Sequence, residues 1–246
     1  MPSYPHLADN KKLLFIHISK TAGKSVAKAL RIIDPPHQRA CLLPVEKFAY
    51  SFSIVRNPWH RLVDLFFTYS MKNGRGELRH SYKLLQKYKL NFEDFVLDLK
   101  NLSIASYKGE NCEEGNQEIM LPENFNSCAH FVCDDNNNIL IEDIIRHENL
   151  NEDLKKLTEK LDFDEINYPI PYVRSWPGVS NKENNATYKG EILRMYSMVN
   201  FTGAPDYKQF YDTFWRGRRT FKVNKRMVRE VADIYKRDIE VFGYEF

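Results

Sequence analysis

Apolar and polar positions fall into clear blocks over the first quarter of the chain. Leu13-Leu14-Phe15-Ile16-His17-Ile18 is mostly apolar and of strand length, and it opens directly into the small-residue turn Ser19-Lys20-Thr21-Ala22-Gly23-Lys24-Ser25. From Val26 to Ile33 the apolar positions Val26, Ala29, Leu30 and Ile33 share one face at helical spacing. Phe52 to Val55 is a second run with the character of a buried strand, and Pro58 stands where a helix starts. The expected order up to residue 70 is therefore strand, loop, helix, connector, strand, helix.

Further along, Tyr82–Tyr88 and Phe92–Leu99 read as helices, and Leu150–Leu161 as an amphipathic one. Phe131-Val132-Cys133 and Ile139-Leu140-Ile141, separated by Asp134–Asn138, are expected to form a hairpin. Residues 108–126 are polar and lack apolar periodicity, and residues 168–190 carry several prolines. Both stretches read as loops, the second lining a substrate entrance. Neither a repeat nor a low-complexity linker divides the chain, so residues 1–246 are expected to form one domain.

A strand that feeds a small-residue loop and then a helix N-terminus builds an anion cradle. Backbone N–H groups and the helix dipole converge there, while Lys and hydroxyl side chains add charge and donors. Phe15-Ile16-His17-Ile18-Ser19-Lys20-Thr21-Ala22-Gly23-Lys24-Ser25 resembles the 5′-phosphosulfate loop of sulfotransferases that use PAPS (3′-phosphoadenosine 5′-phosphosulfate), whose carbohydrate and bacterial branch usually reads FIHIPKTGGTS. Gly23-Lys24-Ser25 also resembles the end of a Walker A loop. That motif needs a glycine at position 18, where this chain has Ile18.

A second, independent segment follows in the right order. Phe52-Ser53-Ile54-Val55-Arg56-Asn57-Pro58-Trp59-His60-Arg61-Leu62-Val63-Asp64 resembles the family's 3′-phosphate segment, FAFVRNPWDRLVS. Arg56 would emerge at the carboxyl end of a strand, where open α/β sheets bind ligands, and guanidinium is a bidentate partner for phosphate. Residues 144–154 are similar to the family's I-x-R-F-E-N-L-x-x-D-F, Tyr207-Lys208-Gln209-Phe210-Tyr211 to its Y-R-x-Y-Y, and the tail to its D-I-x-x-F-G-Y-x-F ending. The resemblance implies an α/β fold with a central parallel sheet flanked by helices, in the P-loop-kinase-like sulfotransferase architecture.

The same resemblance implies the site. Lys20 would neutralise charge on the bridging oxygen during sulfuryl transfer. Thr21, Ala22, Gly23, Lys24 and Ser25 would hold the 5′ groups, and Arg56, the residue at 64 and Lys208 the rest of the donor. The family generally has serine at that position, whereas this chain has Asp64. A carboxylate there repels phosphate by roughly 1–4 kcal/mol at contact range. Either Asp64 turns away or pairs with Arg56 or Arg61, or the donor site is weakened. His60 replaces the usual aspartate, and Lys24 a small hydroxyl residue.

For the base that takes the acceptor's proton, His37 in Pro35-Pro36-His37-Gln38-Arg39-Ala40 is the candidate. Relatives often carry a histidine in that setting, and imidazole has a suitable pKa. Glu46 is the reserve. His17 reads as a structural strand residue, and Arg146 with Glu148 as an ion pair behind the site.

Composition limits the alternatives. At 246 residues with 43% hydrophobic and 13% aromatic content, the chain can bury a core. A net charge of +3 does not call for nucleic acid, although Arg216, Arg218, Arg219, Lys222, Lys225, Arg226 and Arg229 cluster late, as a solvated face or a rim attracting anions. Cys41, Cys112, Cys128 and Cys133 have no metal-ligand spacing and read mostly as free thiols, a Cys128–Cys133 link being left open. The scheme uses no metal. Sequons at Asn101, Asn185 and Asn200 carry little weight in so asparagine-rich a chain. No apolar run reaches membrane-span length, which favours a cytoplasmic enzyme, or a Golgi-lumenal one trimmed of its anchor.

The expected activity is sulfuryl transfer from PAPS to a hydroxyl acceptor, a glycan above others. Rivals are a sulfotransferase-fold binding protein with weakened catalysis and a P-loop-like kinase using ATP. The oligomeric state is not legible.

Overall fold

The computed structural model describes residues 13–32, 38–70, 92–104, 120–121, 123–162 and 224–246, with backbone alone at 67–70, 103–104 and 120. His37, Lys208, the expected helix at 82–88, the loop at 168–190 and most of the loop at 108–126 lie outside these residues. The chain folds into two compact units. Residues up to 61, 126–173 and 235–245 belong to the first, and 62–125, 174–234 and 246 to the second.

The first unit is built on a parallel sheet of β1 (Leu13–Ile16), β2 (Tyr50–Val55) and β5 (Asp143–Arg146), with β2 central. Phe15 pairs with Phe52, and Val55 with Arg146. All four residues of β1 are buried, as the uninterrupted apolar run requires of a strand covered on both faces. Phe15 and Phe52 stack with ring centroids 4.8 Å apart. Val26, Ala27 and Leu30 from helix α1 (Gly23–Ala29) and Leu154 and Leu157 from helix α5 (Leu150–Lys160) join the same apolar cluster.

Helix α1 starts three residues before the expected Val26 and stops short of Ile33. Its end is a Schellman turn: Ile32 N–H donates to the Ala27 carbonyl at 2.7 Å and Arg31 N–H to Lys28 at 3.2 Å, with Arg31 left-handed at φ 54°. Helix α2 (Pro58–Ser70) starts at the proline as expected. The Asn57 side chain caps it by accepting from the Trp59 and His60 N–H groups at 3.1 and 3.3 Å.

The expected hairpin is corrected. Phe131 and Val132 close a short helix, α4 (Cys128–Val132). The antiparallel pairing is confined to the bridge of Cys133 with Ile139 and its flanking bonds, Leu140 N–H to the Val132 carbonyl at 2.9 Å and Asp134 N–H to the Asn138 carbonyl at 3.0 Å. Ser127 caps this helix by accepting from the His130 N–H at 3.1 Å. A short buried apolar run looks the same in strand and helix, and here capping decides. The third strand of the sheet is Asp143–Arg146 instead. Cys41, Cys128 and Cys133 are free thiols.

In the second unit, helices α3 (Phe92–Asp98) and α6 (Lys225–Ile234) pack together. Phe66 lies 5.3 Å from Phe92 and 4.9 Å from Phe95 between ring centroids. Asn224 caps α6 through Oδ1, and its amide donates to Glu93 at 2.7 Å. Residues 103–104 and 120–121 form a short parallel pair, β3 and β4. The last helix, α7 (Lys236–Phe242), returns to the first unit.

Candidate functional site

The three strands of the first unit run parallel, so their carboxyl ends lie along one edge of the sheet. Each strand opens there into a segment singled out by sequence: His17–Ser25 after β1, Arg56–Arg61 after β2, and His147–Asn149 after β5. Segments far apart in the chain are thereby brought to one edge.

The loop after β1 is held in an unusual form. Lys20 and Ala22 both adopt left-handed backbone conformations, φ 68° and 69°. For residues other than glycine each costs about 1–2 kcal/mol and persists only where neighbours fix it. Three side chains do so. Thr21 Oγ1 donates to the Ile18 carbonyl at 2.9 Å, Arg61 Nε to the Ser19 carbonyl at 3.0 Å, and Arg56 Nη1 to the Lys20 carbonyl at 2.9 Å. Three consecutive carbonyl oxygens are thus occupied by side-chain donors. The Ala22 carbonyl receives the Ser25 and Val26 N–H groups as α1 begins.

Gly23 has a steric reason in this setting. A Cβ at this position would stand 2.0 Å from His17 Cδ2 and 2.3 Å from Nε2, so the buried imidazole occupies the space a side chain needs. His17 sits just beyond β1, stacked near Phe15 at 5.7 Å, in keeping with a structural role. Thr21 and Ser25 are buried, Lys20 is half-buried and Lys24 is exposed.

Arg56 and Arg61 are both buried. Beyond its bond to Ser19, Arg61 donates through Nη1 to the Asn126 carbonyl at 2.8 Å, and the Asp238 carboxylate lies close enough for charge attraction. Asp238, on α7, accepts the Cys128 and Ala129 N–H groups at 2.8 and 2.7 Å. Burial raises the Asp238 carboxyl pKa, against the pull of those donors and of Arg61. Burial also pushes the Cys128 thiol up to about 12, so it stays protonated and inert.

His147 is also near Arg56, and its pKa is held well below the ordinary value by burial and then by electrostatic interaction with Arg56 and His60. Arg146 and Glu148 do not form the expected ion pair. Arg146 donates to the Phe242 carbonyl and lies 5.1 Å over the Tyr244 ring, while Glu148 accepts from the Asn57 N–H at 2.7 Å and the Tyr244 hydroxyl at 3.3 Å. Arg146 ends the strand and Glu148 lies in the 3-10 turn that follows (His147–Asn149), so the two side chains reach different parts of the C-terminal tail, which both hold in place. Asn57 Nδ2 reaches the same tail at the Glu245 carbonyl, 3.0 Å away.

Of the expected site residues, Lys20, Thr21, Ala22, Gly23, Lys24, Ser25 and Arg56 therefore come together at one edge. Asp64 is buried on α2, one helical turn beyond His60 and Arg61. Glu46 is exposed on a 3-10 turn (Val45–Lys47). Sequence reasoning missed the hold of Arg61 on the loop and the role of Asp238. The available signal was a cation and an anion, each set among apolar neighbours on an amphipathic helix.

The sulfotransferase family profile matches residues 6–245, nearly the whole chain. The chain belongs to the sulfotransferase family. No curated protein and no solved structure matches it. Membership makes sulfuryl transfer the general chemistry of this sulfotransferase, and the parallel sheet with flanking helices agrees with the family's α/β fold. Among the described residues no helix is long and apolar enough to cross a membrane, and no group of three His, Cys, Asp or Glu side chains is arranged to hold a metal.

Proposed function

We propose that this sulfotransferase takes its sulfuryl group from PAPS and passes it to a hydroxyl of a carbohydrate. One observation carries the reading: the Ile18, Ser19 and Lys20 carbonyls are all occupied by side-chain donors. Their partial negative charge is neutralised within the protein. That leaves loop N–H groups, the first turn of α1 and the Lys20 ammonium to set the sign of the local field, which suits an anion. A polyanionic donor therefore fits the residues present.

PAPS supplies an activated sulfuryl group whose leaving oxygen gathers negative charge during transfer. In this reading Lys20 neutralises that charge, while Thr21, Ala22, Gly23, Lys24 and Ser25 hold the 5′ groups. Thr21 does so through its N–H, because its hydroxyl hydrogen is committed to Ile18. Arg56 binds the 3′-phosphate, with Lys208 adding charge. His37 accepts the acceptor's proton, and Glu46 is the reserve base. Orientation and electrostatics supply most of the rate, as in phosphoryl transfer. The reading treats residues 1–246 as one catalytic domain of the P-loop-like type, working without metal or nucleic acid, in the cytoplasm or, for an anchored form, the Golgi lumen.

The test is titration with adenosine 3′,5′-bisphosphate and with ATP, followed by transfer from labelled PAPS to a glycan panel. Tight bisphosphate binding, weak ATP binding and labelled glycan support the reading. Preference for ATP favours a kinase, and bisphosphate binding with no transfer to any acceptor favours a binding protein.

A further inference from the structure

Arg61 is the largest fully buried side chain among the described residues, and an arginine in that position requires explanation. Burying a guanidinium costs several kcal/mol unless its donors and charge are matched. Here the match is specific. One N–H of the fork reaches the Ser19 carbonyl and another the Asn126 carbonyl, 3.0 and 2.8 Å away, and the Asp238 carboxylate lies near enough to attract the charge. Asp238 is in turn fixed by the Cys128 and Ala129 N–H groups. Ser19 immediately precedes Lys20, the first of the two left-handed residues of the loop.

A purely structural arginine has no need to end on the carbonyl next to a strained residue. A hydrophobic side chain of similar volume would fill the core at lower cost. The planar fork is suited instead to holding two fixed acceptors at once, which the single ammonium of lysine does less well. We propose that Arg61 is a positioning residue for the anion-binding loop, with Asp238 supporting it by fixing the Cys128 and Ala129 N–H groups just beyond Asn126. It touches no ligand, but holds Ser19 so that Lys20 and the N–H groups following it face the donor before the donor arrives. The C-terminal helix α7, through Asp238, thus helps to set the geometry of a loop near the other end of the chain. This inference rests on the reading of Ser19–Ser25 as the donor loop.

The test uses the full chain, with Arg61→Lys and Asp238→Asn compared with wild type. Circular dichroism and thermal melting check the fold, calorimetry measures binding of adenosine 3′,5′-bisphosphate, and initial rates give KM for PAPS and for the acceptor. Folded Arg61→Lys should bind the bisphosphate roughly tenfold or more weakly, the scale of a lost charge-assisted hydrogen bond. KM for PAPS should rise by a similar factor while KM for the acceptor stays unchanged. Asp238→Asn should shift both in the same direction by less. A folded Arg61→Lys variant with wild-type affinity overturns the proposal, since a merely structural arginine lowers the melting temperature without touching affinity.

If Arg61→Lys does not fold, Arg61→Gln takes its place, and a folded variant with wild-type bisphosphate affinity overturns the proposal. If wild type binds no bisphosphate, the donor reading falls. Limited proteolysis at Ser19–Lys24, compared between wild type and the folded Arg61 variant, then still shows whether Arg61 holds the loop: faster cleavage in the variant supports the tether, and equal rates overturn it.

Discussion

Arg56 Nη1 donates to the backbone carbonyl of Lys20 at 2.9 Å, joining two segments 36 positions apart in the chain. The arginine assigned to the 3′-phosphate is therefore also a tether of the loop assigned to the 5′ end. Its guanidinium has several N–H donors in a rigid fork, so one can hold the loop while others face a ligand. In the proposed reading, the two ends of the donor site are coupled through this one side chain.

The first prediction follows from that double role. Adenosine 3′,5′-bisphosphate should bind more tightly than AMP, and Arg56→Ala should erase most of the difference. Because the tether is lost as well, AMP affinity should also fall, though by less. Calorimetric titration of both nucleotides checks this, and equal affinity of the wild-type protein for the two sinks the assignment of the 3′-phosphate.

Gly23 gives a second prediction. A methyl group there collides with the His17 ring at 2.0 Å, and the ring is buried beneath it. Gly23→Ala should cost about 1–3 kcal/mol of stability, the usual scale of overpacking. Pairing it with His17→Ala should recover part of that loss. Denaturant melts of the two single variants and the double variant read the coupling directly. A strictly additive result means that the His17 ring is not what excludes the side chain.

The third prediction concerns pH. His147 is held well below its ordinary pKa by burial and by Arg56 and His60, and His130 is lowered to about 4 by burial and by Arg39 and Arg237. Both stay neutral in the fold where the unfolded chain would already take up protons. The unfolded state binds more protons below about pH 6.5, so stability is lost as pH falls from there toward 4 and is fully present above it. His147→Phe, the residue usual in the family, should flatten the melting temperature over this window relative to wild type. An unchanged slope removes His147 from the account, and His130→Gln then tests the other imidazole.

Much of this was legible because chemistry and periodicity agreed. The apolar run at Leu13–Ile16, the small-residue turn and the proline at 58 each have one structural solution, and the sheet edge follows from two parallel strands. Asp143–Arg146 was harder to read as a strand, since only Ile144 and Ile145 in it are apolar. The first arm of the hairpin is helical instead because Phe131 and Val132 are buried in either conformation, and Ser127 and Asp238 decide between them from outside the run. Arg61 and Asp238 were invisible together because 177 of the 246 positions separate them. Partners of that kind emerge only from tertiary packing, whereas the motif around Arg56 announces itself locally.

Catalysis gives the fourth prediction. If His37 takes the acceptor's proton, His37→Ala should lower turnover about 100-fold or more with little change in bisphosphate affinity, as expected for a positioned base. Near-normal turnover would transfer the role to Glu46, and Glu46→Gln would then be the informative variant.

The last prediction concerns Asp64, a buried carboxylate at the position where the family generally has serine. If it faces the 3′-phosphate, Asp64→Ser removes a like-charge contact and adds a hydroxyl donor. Bisphosphate affinity should then rise by about 1–3 kcal/mol, the scale of one charge-assisted hydrogen bond plus relief of repulsion. The gain should shrink with added salt if solvent screens the repulsion. On helix α2, Asp64 stands four residues after His60 and three after Arg61, spacings that put side chains on neighbouring parts of one face. Should Asp64→Ser leave affinity unchanged or weaken it, the carboxylate orients Arg56 or Arg61 or points away from the donor instead of opposing it. The departure from serine would then be no argument for lost activity, and the binding-protein alternative would lose its main support.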